Sequence, residues 1–371
     1  MLKKFEVQNF MGFKDNIVFD LTTNKKYTYN PEMVEKGVVK KALIFGSNSS
    51  GKSNLCSALM DITFHIVDKE KIMIPSNIYL NANNNAPYAI FKYHFQFGKK
   101  RVVYEYAKKS CLELCYEKLY INEVQVLEYN YFDYTHNFIN LPGTENLNKV
   151  QLQQQLSMIK YIYSNTVQDE KSDIKQLVEF VNGMLYFKSL LDGNRYMGYR
   201  LGSDDLASLI LSKNKLSDFQ SFLKDMDLNY NLVPMRNIAG FPVIGVKFSS
   251  GKIVEFSQVI SSGTKTLWLF YCWLLEFSNL KFLIIDEFDA YYHYDLSFKI
   301  LKLVNKQENL QSVLTTHTTF LMRKEVTRPD CCFIIKDSSN ILPICKLTNK
   351  EIRDSNNLEK MYRGGEFVFW D

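Results

Sequence analysis

Short unbroken apolar runs alternate along this chain with amphipathic tracts, a pattern that predicts a sheet buried on both faces and flanked by helices. Lys41 to Phe45 (KALIF) and Lys281 to Ile285 (KFLII) are continuous apolar runs, and Ser312 to Thr319 (SVLTTHTT) is a strand-like run that contains His317. Runs this short, without a polar face, are expected of central strands. Asn54 to Ile66 (NLCSALMDITFHI) carries apolar residues at helical spacing, and Thr266 to Phe277 (TLWLFYCWLLEF) is a longer apolar stretch. Between these blocks the texture changes twice. Tyr88 to Tyr134 alternates, as in FKYHFQF, KRVVYEYA and EKLYINEVQVLEY, and reads as a β-meander. Asn146 to Leu228 reads as mainly helical, with QLQQQLSMIKYIY, DIKQLVEFVNGMLYFKSLL and LSDFQSFLKDMDL at 3.6-type spacing and Gly183, Gly193, Gly198 and Gly202 interrupting any long run. No heptad pattern is sustained, which argues against long coiled-coil arms and for a compact helical lobe. The expected organisation is a core made of 1–80 and 235–371, a β-rich insertion over 81–145 and a helical insertion lobe over 146–234.

The apolar runs place chemistry at their ends. Gly46 to Ser53 reads GSNSSGKS and follows the first strand directly. This GxxxxGK[ST] pattern cradles phosphates where a strand ends in a glycine-rich turn and opens a helix, so that backbone N–H groups converge on the anion. Gly46 and Gly51 permit the turn and the close approach, Ser47, Asn48, Ser49 and Ser50 supply its backbone, and Asn54 continues the helix. Lys52 offsets charge on the outer phosphates and Ser53 presents its hydroxyl to Mg²⁺. The second central strand runs into Asp286 and Glu287, followed by Asp289. An acidic pair at that end of a strand suits a metal-side carboxylate, Asp286, and a general base, Glu287, which polarises the water attacking the γ-phosphate. Ile260 to Leu267 (ISSGTKTL) opens the apolar stretch with a turn in which Ser261, Ser262 and Gly263 offer donors at a positive helix end. That turn suits the γ-phosphate of a second nucleotide, and His317 is expected to reach the same phosphate.

In this order and spacing the motifs resemble the ABC-type ATPase cassette: Walker A at Gly46 to Ser53, a signature at Ser261 to Thr264, Walker B at Phe282 to Glu287, a D-loop around Asp289 and a switch histidine at His317. The opening Leu2 to Leu21 and the ending Leu358 to Phe367 resemble soluble prokaryotic AAA-type ATPases related to the OLD, RecF and SMC proteins, many of which occur in anti-phage defence operons. The resemblance covers about the first sixty and the last 130 residues. It implies an α/β P-loop NTPase fold with an ABC-ATPase-like head, a mixed central sheet with flanking helices, carrying the β-rich segment and helical lobe as insertions. It implies ATP and Mg²⁺ as cofactors. It also implies a homodimer or higher homo-oligomer in which Lys52 and Ser53 face Ser262 and Gly263 of the partner subunit across the nucleotide. Met11 and Gly12 stand where relatives often carry a basic residue followed by a small one, and Lys265 departs from the usual signature, so slow or partner-dependent hydrolysis is expected. Gln96, following the strand-like Ala89 to Phe95, is the candidate for a glutamine loop.

Composition narrows the partners. No segment of the 371 residues reaches the roughly eighteen uninterrupted apolar positions needed to cross a bilayer, the N-terminus reads as a first strand without a cleavable signal, and the seven cysteines lack CxxC spacing. These features predict a cytoplasmic protein with reduced thiols and no membrane partner. A net charge of +5 permits nucleic acid without demanding it, and Lys99, Lys100, Arg101, Lys108 and Lys109 with the interleaved Tyr104 and Tyr106 form the one candidate grip. The alternative for those lysines is a solvated hairpin tip. Asp286 lies 234 positions after Lys52 (286 minus 52), about twice what a transporter cassette needs, so the transporter class is disfavoured. Nuclease-bearing OLD relatives carry a further Toprim domain for which the 54 residues after His317 (371 minus 317) leave no room. The leading expectation is therefore an ATPase sensor or scaffold of a bacterial anti-phage system that controls a separately encoded effector such as a nuclease. A RecF-like DNA-repair ATPase that clamps DNA is the alternative.

Overall fold

A computed structural model describes all residues except 68–73, 148–149, 190–194, 200–205, 354 and 369–371. The chain divides into two units, one of Met1–Leu201, Leu280–Phe288 and Val304–Asp371 and another of Gly202–Asn279 and Asp289–Leu303.

The first unit contains two seven-stranded sheets. In the mixed sheet the strands run in the order Arg195–Gly198, Met184–Lys188, Phe282–Asp286, Gln311–Thr316, Lys41–Phe45, Cys332–Lys336 and Asn340–Pro343. The five inner strands are parallel and the two outer ones antiparallel. Every residue of Lys41–Phe45, Phe282–Asp286 and Gln311–Thr316 is buried, as continuous apolar runs covered on both faces require. The head is thus the expected P-loop α/β fold, with a mixed central sheet and flanking helices. A parallel strand triplet is also what delivers the ends of all three strands to one edge of the sheet.

Two expected boundaries move. The strands Ala89–Phe97, Lys100–Ser110, Glu113–Ile121, Val124–Asn130 and Phe138–Ile139 form the expected meander, but they continue directly from Leu2–Gln8 and Ile17–Asp20 in one antiparallel sheet. Residues 81–145 are therefore an integral part of the first unit and not an insertion. The reason lies in the alternation: Phe5 pairs with Tyr93 and Val7 with Phe91, which puts the apolar sides of both segments on one face. There they build an aromatic layer, with Phe5 and Tyr93 centroids 4.7 Å apart and Phe91 stacked on Tyr106 at 5.1 Å. The opposite face is laced with ion pairs such as Lys92–Glu105 at 2.9 Å and Lys118–Glu128 at 3.2 Å.

The tract 146–234 is likewise not one helical lobe. Helices Met158–Asn165 and Asp173–Asn182, each N-capped by a serine hydroxyl, belong to the first unit. Met184–Lys188, whose MLYF run fitted a helical spacing, is a strand beside Phe282–Asp286, with Leu185 opposite Leu283. A short apolar run fits either period, and here the parallel ladder decides. Gly183 makes the switch possible, because a Cβ there would stand 3.0 Å from the Lys281 backbone nitrogen.

The second unit holds a three-stranded antiparallel sheet, Leu232–Arg236, Pro242–Lys247 and Ile253–Glu255, with helices Leu206–Ser212, Leu216–Asp225 and Ser262–Leu274. Its core is aromatic: Phe219 meets Tyr271 at 4.9 Å and Phe256 meets Trp268 at 5.2 Å. The apolar stretch after the Ser-Gly turn is the helix that carries this core.

The candidate nucleic-acid grip is split: Lys99, Arg101 and Lys109 are exposed, as the hairpin-tip alternative expects, whereas Tyr104, Tyr106 and Lys108 are interior. Lys108 is fully buried and bonded to Asp61 at 2.8 Å, Lys100 pairs with Asp173 at 2.9 Å and Arg101 with Glu123 at 2.9 Å. Lys109 lies 4.6 Å from the centre of the Phe132 ring. Tyr104 and Tyr106 are buried, their hydroxyls donating to Glu117 and Asp61. The period-two alternation that makes the strand also turns Tyr104, Tyr106 and Lys108 inward together. Gln96 is committed elsewhere as well: its side-chain amide donates to the Gly98 and Lys100 carbonyls at 3.0 and 3.1 Å and closes a hairpin. No described helix is long and apolar enough to cross a membrane.

Candidate active site

The glycine-rich turn after Lys41–Phe45 is shaped by close packing. A Cβ on Gly46 would lie 2.9 Å from the Ile335 carbonyl, and Gly51 has φ +104°, a conformation open to glycine and costly to other residues. Ser49, at φ +63°, completes the turn. Ser338 N–H donates to the Ser50 carbonyl at 2.9 Å and ties the turn to the segment after Cys332–Lys336. Gly12 sits in the same packing, since a Cβ on it would meet the Asn54 side-chain amide.

Helix Lys52–Met60 starts at Gly51, and its first ladder bond runs from Leu55 N–H to the Gly51 carbonyl. The N–H groups of Ser53 and Asn54 lie before that bond, at the positive helix end. Lys52 is buried and its ammonium donates to the Gly46 and Ser47 carbonyls at 3.0 and 2.9 Å. Ser50 Oγ is buried with no hydrogen-bond partner among the described residues. A cradle with no room for side chains, a lysine spanning it and an unsatisfied hydroxyl are what a polyphosphate would fit.

Two strands over, Asp286 ends Phe282–Asp286 and Glu287 leaves the sheet at φ +50°. Asp286 Oδ1 accepts from the Thr315 hydroxyl at 2.6 Å, and the Tyr186 hydroxyl lies 3.5 Å from Oδ2. Cys56 Sγ, from the P-loop helix, is 3.8 Å from Oδ1. Burial first, and the Asp286 charge second, push the Cys56 thiol well above its ordinary range, so it stays a neutral donor. Tyr186 is raised as well, by burial and then by the charge of Asp286. Lys188, opposite Asp286 in the sheet, is held below the usual lysine range by burial, against the pull of Asp286.

Glu287 Oε1 lies 3.4 Å from His317 Nε2, just beyond Gln311–Thr316. The fold therefore brings Lys52, Asp286, Glu287 and His317 into one unit on three adjacent parallel strands. No group of three or more His, Cys, Asp or Glu among the described residues could hold a metal by itself. A Mg²⁺ here would be shared by Ser53, Asp286, water and nucleotide phosphates, which is how that ion is commonly bound.

Ser261, Ser262, Gly263 and Asp289 belong to the second unit. Ser261 caps helix Ser262–Leu274, its hydroxyl accepting from Thr264 N–H at 3.2 Å. A Cβ on Gly263 would lie 2.9 Å from the Tyr291 carbonyl, in the turn that Asp289 opens and Tyr292 N–H closes at 3.1 Å. The Ser261–Gly263 turn and the segment opened by Asp289 are thus neighbours within this unit. Sequence reading missed Thr315, Tyr186, Cys56 and Ser338. Only the TTH run before His317 offered a hint of the first; strand order alone reveals the others.

Residues 41–323 match the family model described as "AAA domain, putative AbiEii toxin, Type IV TA system". Comparison with curated proteins returned no match. Among solved structures the chain is similar to the SMC head domain from Thermotoga maritima, at 16% identity and TM-score 0.42, covering 92% of this chain and 98% of that one. A Smc head bound to the C-winged helix domain of ScpA aligns at 13% identity and TM-score 0.46, over 92% and 96% of the two chains. The Smc head domain with an extended coiled coil from Pyrococcus furiosus aligns at 12% identity and TM-score 0.44, over 98% of each.

Proposed function

This chain belongs to the AAA-domain family whose model spans residues 41–323, and from that premise we propose that it binds Mg-ATP at the Gly46–Ser53 loop and hydrolyses it with Glu287 as base. The observation that carries the reading is the meeting of a phosphate loop, an acidic pair and a histidine in one unit, with His317 3.4 Å from Glu287. Lys52 exchanges its carbonyl partners for phosphate oxygens. Ser53 and Asp286 would hold Mg²⁺, which would supply charge stabilisation to the transferring phosphoryl group. Glu287 takes the proton of the attacking water, and His317 orients Glu287 and contacts the γ-phosphate region. Ser261, Ser262, Gly263 and Asp289 serve the nucleotide of a second copy of the chain, so neither copy stabilises the transition state alone and dimerisation gates turnover.

The ATP-bound dimer controls a separately encoded effector such as a nuclease in a defence system. The family description, which names a toxin of a TA system, supports a function exercised together with another protein. Turnover and native mass of wild type and Glu287→Gln, with and without Mg-ATP and with co-expressed neighbouring gene products, test this. The expected result is a Glu287→Gln protein that binds ATP without turnover and is trapped as an ATP-dependent assembly holding a neighbour-encoded protein. An ATP-dependent dimer that ignores its neighbours and captures DNA would favour a DNA-clamping role. Turnover by Glu287→Gln at the wild-type rate would remove Glu287 as the base.

A further inference from the structure

Thr315 is the residue on which the acidic turn is built. The regular pairing of Phe282–Asp286 with Gln311–Thr316 ends at Ile285 opposite Leu314. Beyond it Thr315 makes three bonds. Its hydroxyl donates to Asp286 Oδ1 at 2.6 Å, the same oxygen accepts from Glu287 N–H at 2.8 Å, and its carbonyl accepts from Phe288 N–H at 3.2 Å. The direction of the first two bonds is not free. Glu287 N–H can only donate, so Thr315 Oγ1 must accept there, which leaves the single hydroxyl proton for Asp286. The side chain is fully buried and so holds one rotamer. Glu287 is in the left-handed region at φ +50°, disfavoured for a residue with a Cβ, and the bond to Thr315 is what holds it there.

We infer that Thr315 is a positioning residue that couples the metal-side carboxylate to the base, so that the geometry set at Asp286 by the metal is transmitted to Glu287 through one hydroxyl. This rests on the ATPase reading above. Thr315 approaches the reaction only through its two neighbours, so its loss moves alignment and metal response, not the phosphate cradle of Gly46–Ser53.

Thr315→Val keeps the shape and removes the hydroxyl; Thr315→Ser keeps the hydroxyl. The single-turnover rate with protein in excess over Mg-ATP, the Mg²⁺ concentration giving the half-maximal rate, and binding of a fluorescent ATP analogue in EDTA are compared in the full chain. Thr315→Val is expected to lose about 10–100-fold in turnover and to need several-fold more Mg²⁺, with metal-free binding unchanged, while Thr315→Ser stays close to wild type. Thr315→Val turning over within about two-fold of wild type, Thr315→Ser falling as far as Thr315→Val, or metal-free binding lost with turnover would each overturn the inference. Glu287→Gln separates the two claims. If it abolishes turnover and Thr315→Val does not, only the coupling fails; if it turns over normally, the assignment of Glu287 as base fails and the coupling with it; and if the wild type itself does not turn over, the ATPase reading fails.

Discussion

Lys52 spans the phosphate loop with bonds to two of its carbonyls, so its removal withdraws both a charge for the nucleotide and a strut of the loop. Lys52→Ala is therefore expected to weaken ATP binding by at least about ten-fold, roughly 1.4 kcal/mol, by calorimetric titration. His317, half-exposed, lies 3.4 Å from Glu287. His317→Ala should lower turnover by about ten-fold or more while affinity stays near wild type, and a parallel fall in both would contradict its assigned role. A Cβ on Gly46 would meet the Ser50 hydroxyl, Ile335 Cγ2 at 2.8 Å and the Ile335 carbonyl at 2.9 Å, and of these the backbone carbonyl cannot rotate away. Gly46→Ala should cost about 1–3 kcal/mol in urea denaturation as well as weakening ATP. At this scale the site was legible wherever the chemistry demands contiguous residues, as in GSNSSGKS and the acidic pair. Thr315 and Tyr186 were not, because nothing in their own neighbourhoods ties them to Asp286.

The elements carry two buried charge arrangements with measurable consequences. Asp61, at the end of the P-loop helix, accepts from Lys108 and from the Tyr79 and Tyr106 hydroxyls, all buried. Lys108 thereby joins the antiparallel sheet to the helix that begins at the nucleotide site. Lys108→Met leaves Asp61 with an uncompensated charge and should destabilise by about 3–5 kcal/mol, with Asp61→Asn added to it restoring part of the loss. The P-loop strand begins with Lys41, whose ammonium donates to the Gln307 and Leu310 carbonyls and whose pKa is lowered to about 7 by burial, with Lys40 adding to the effect. Below pH 7 folded and unfolded chains both keep that proton and the full burial cost is present. As pH rises above 7 the folded chain releases it and the unfolded chain does not, so stability should climb toward pH 9 with a contribution approaching about 1 kcal/mol per pH unit. Chemical denaturation across pH 7–9 should show that slope in wild type and lose it in Lys41→Met. The hairpin pattern over 88–134 predicted strands correctly, yet Lys108 was read as a surface charge. Alternation assigns it to a face, and only its helical neighbour makes that face the interior.

For the molecule as a whole, the predicted quantity is an ATP-dependent change of mass. Glu287→Gln should run as a larger species with Mg-ATP than without it, and Ser262→Arg should abolish that shift while leaving ATP bound to each copy, measured by light scattering and nucleotide retention. Loss of ATP binding in Ser262→Arg would count against a role for the signature turn on the nucleotide of another copy. The sequence by itself determined the phosphate loop, the acidic strand end, the buried central strands and the membership of a P-loop class. Each is a local rule, met by residues within a few positions of one another. Only the tertiary structure decided that the meander shares a sheet with Leu2–Gln8, that Met184–Lys188 is a strand beside Asp286, and that Thr315 holds Asp286 and Glu287 together. Strand neighbours are chosen by hydrogen bonds and packing between distant segments, and a periodicity that says which side of a strand is buried does not say against what.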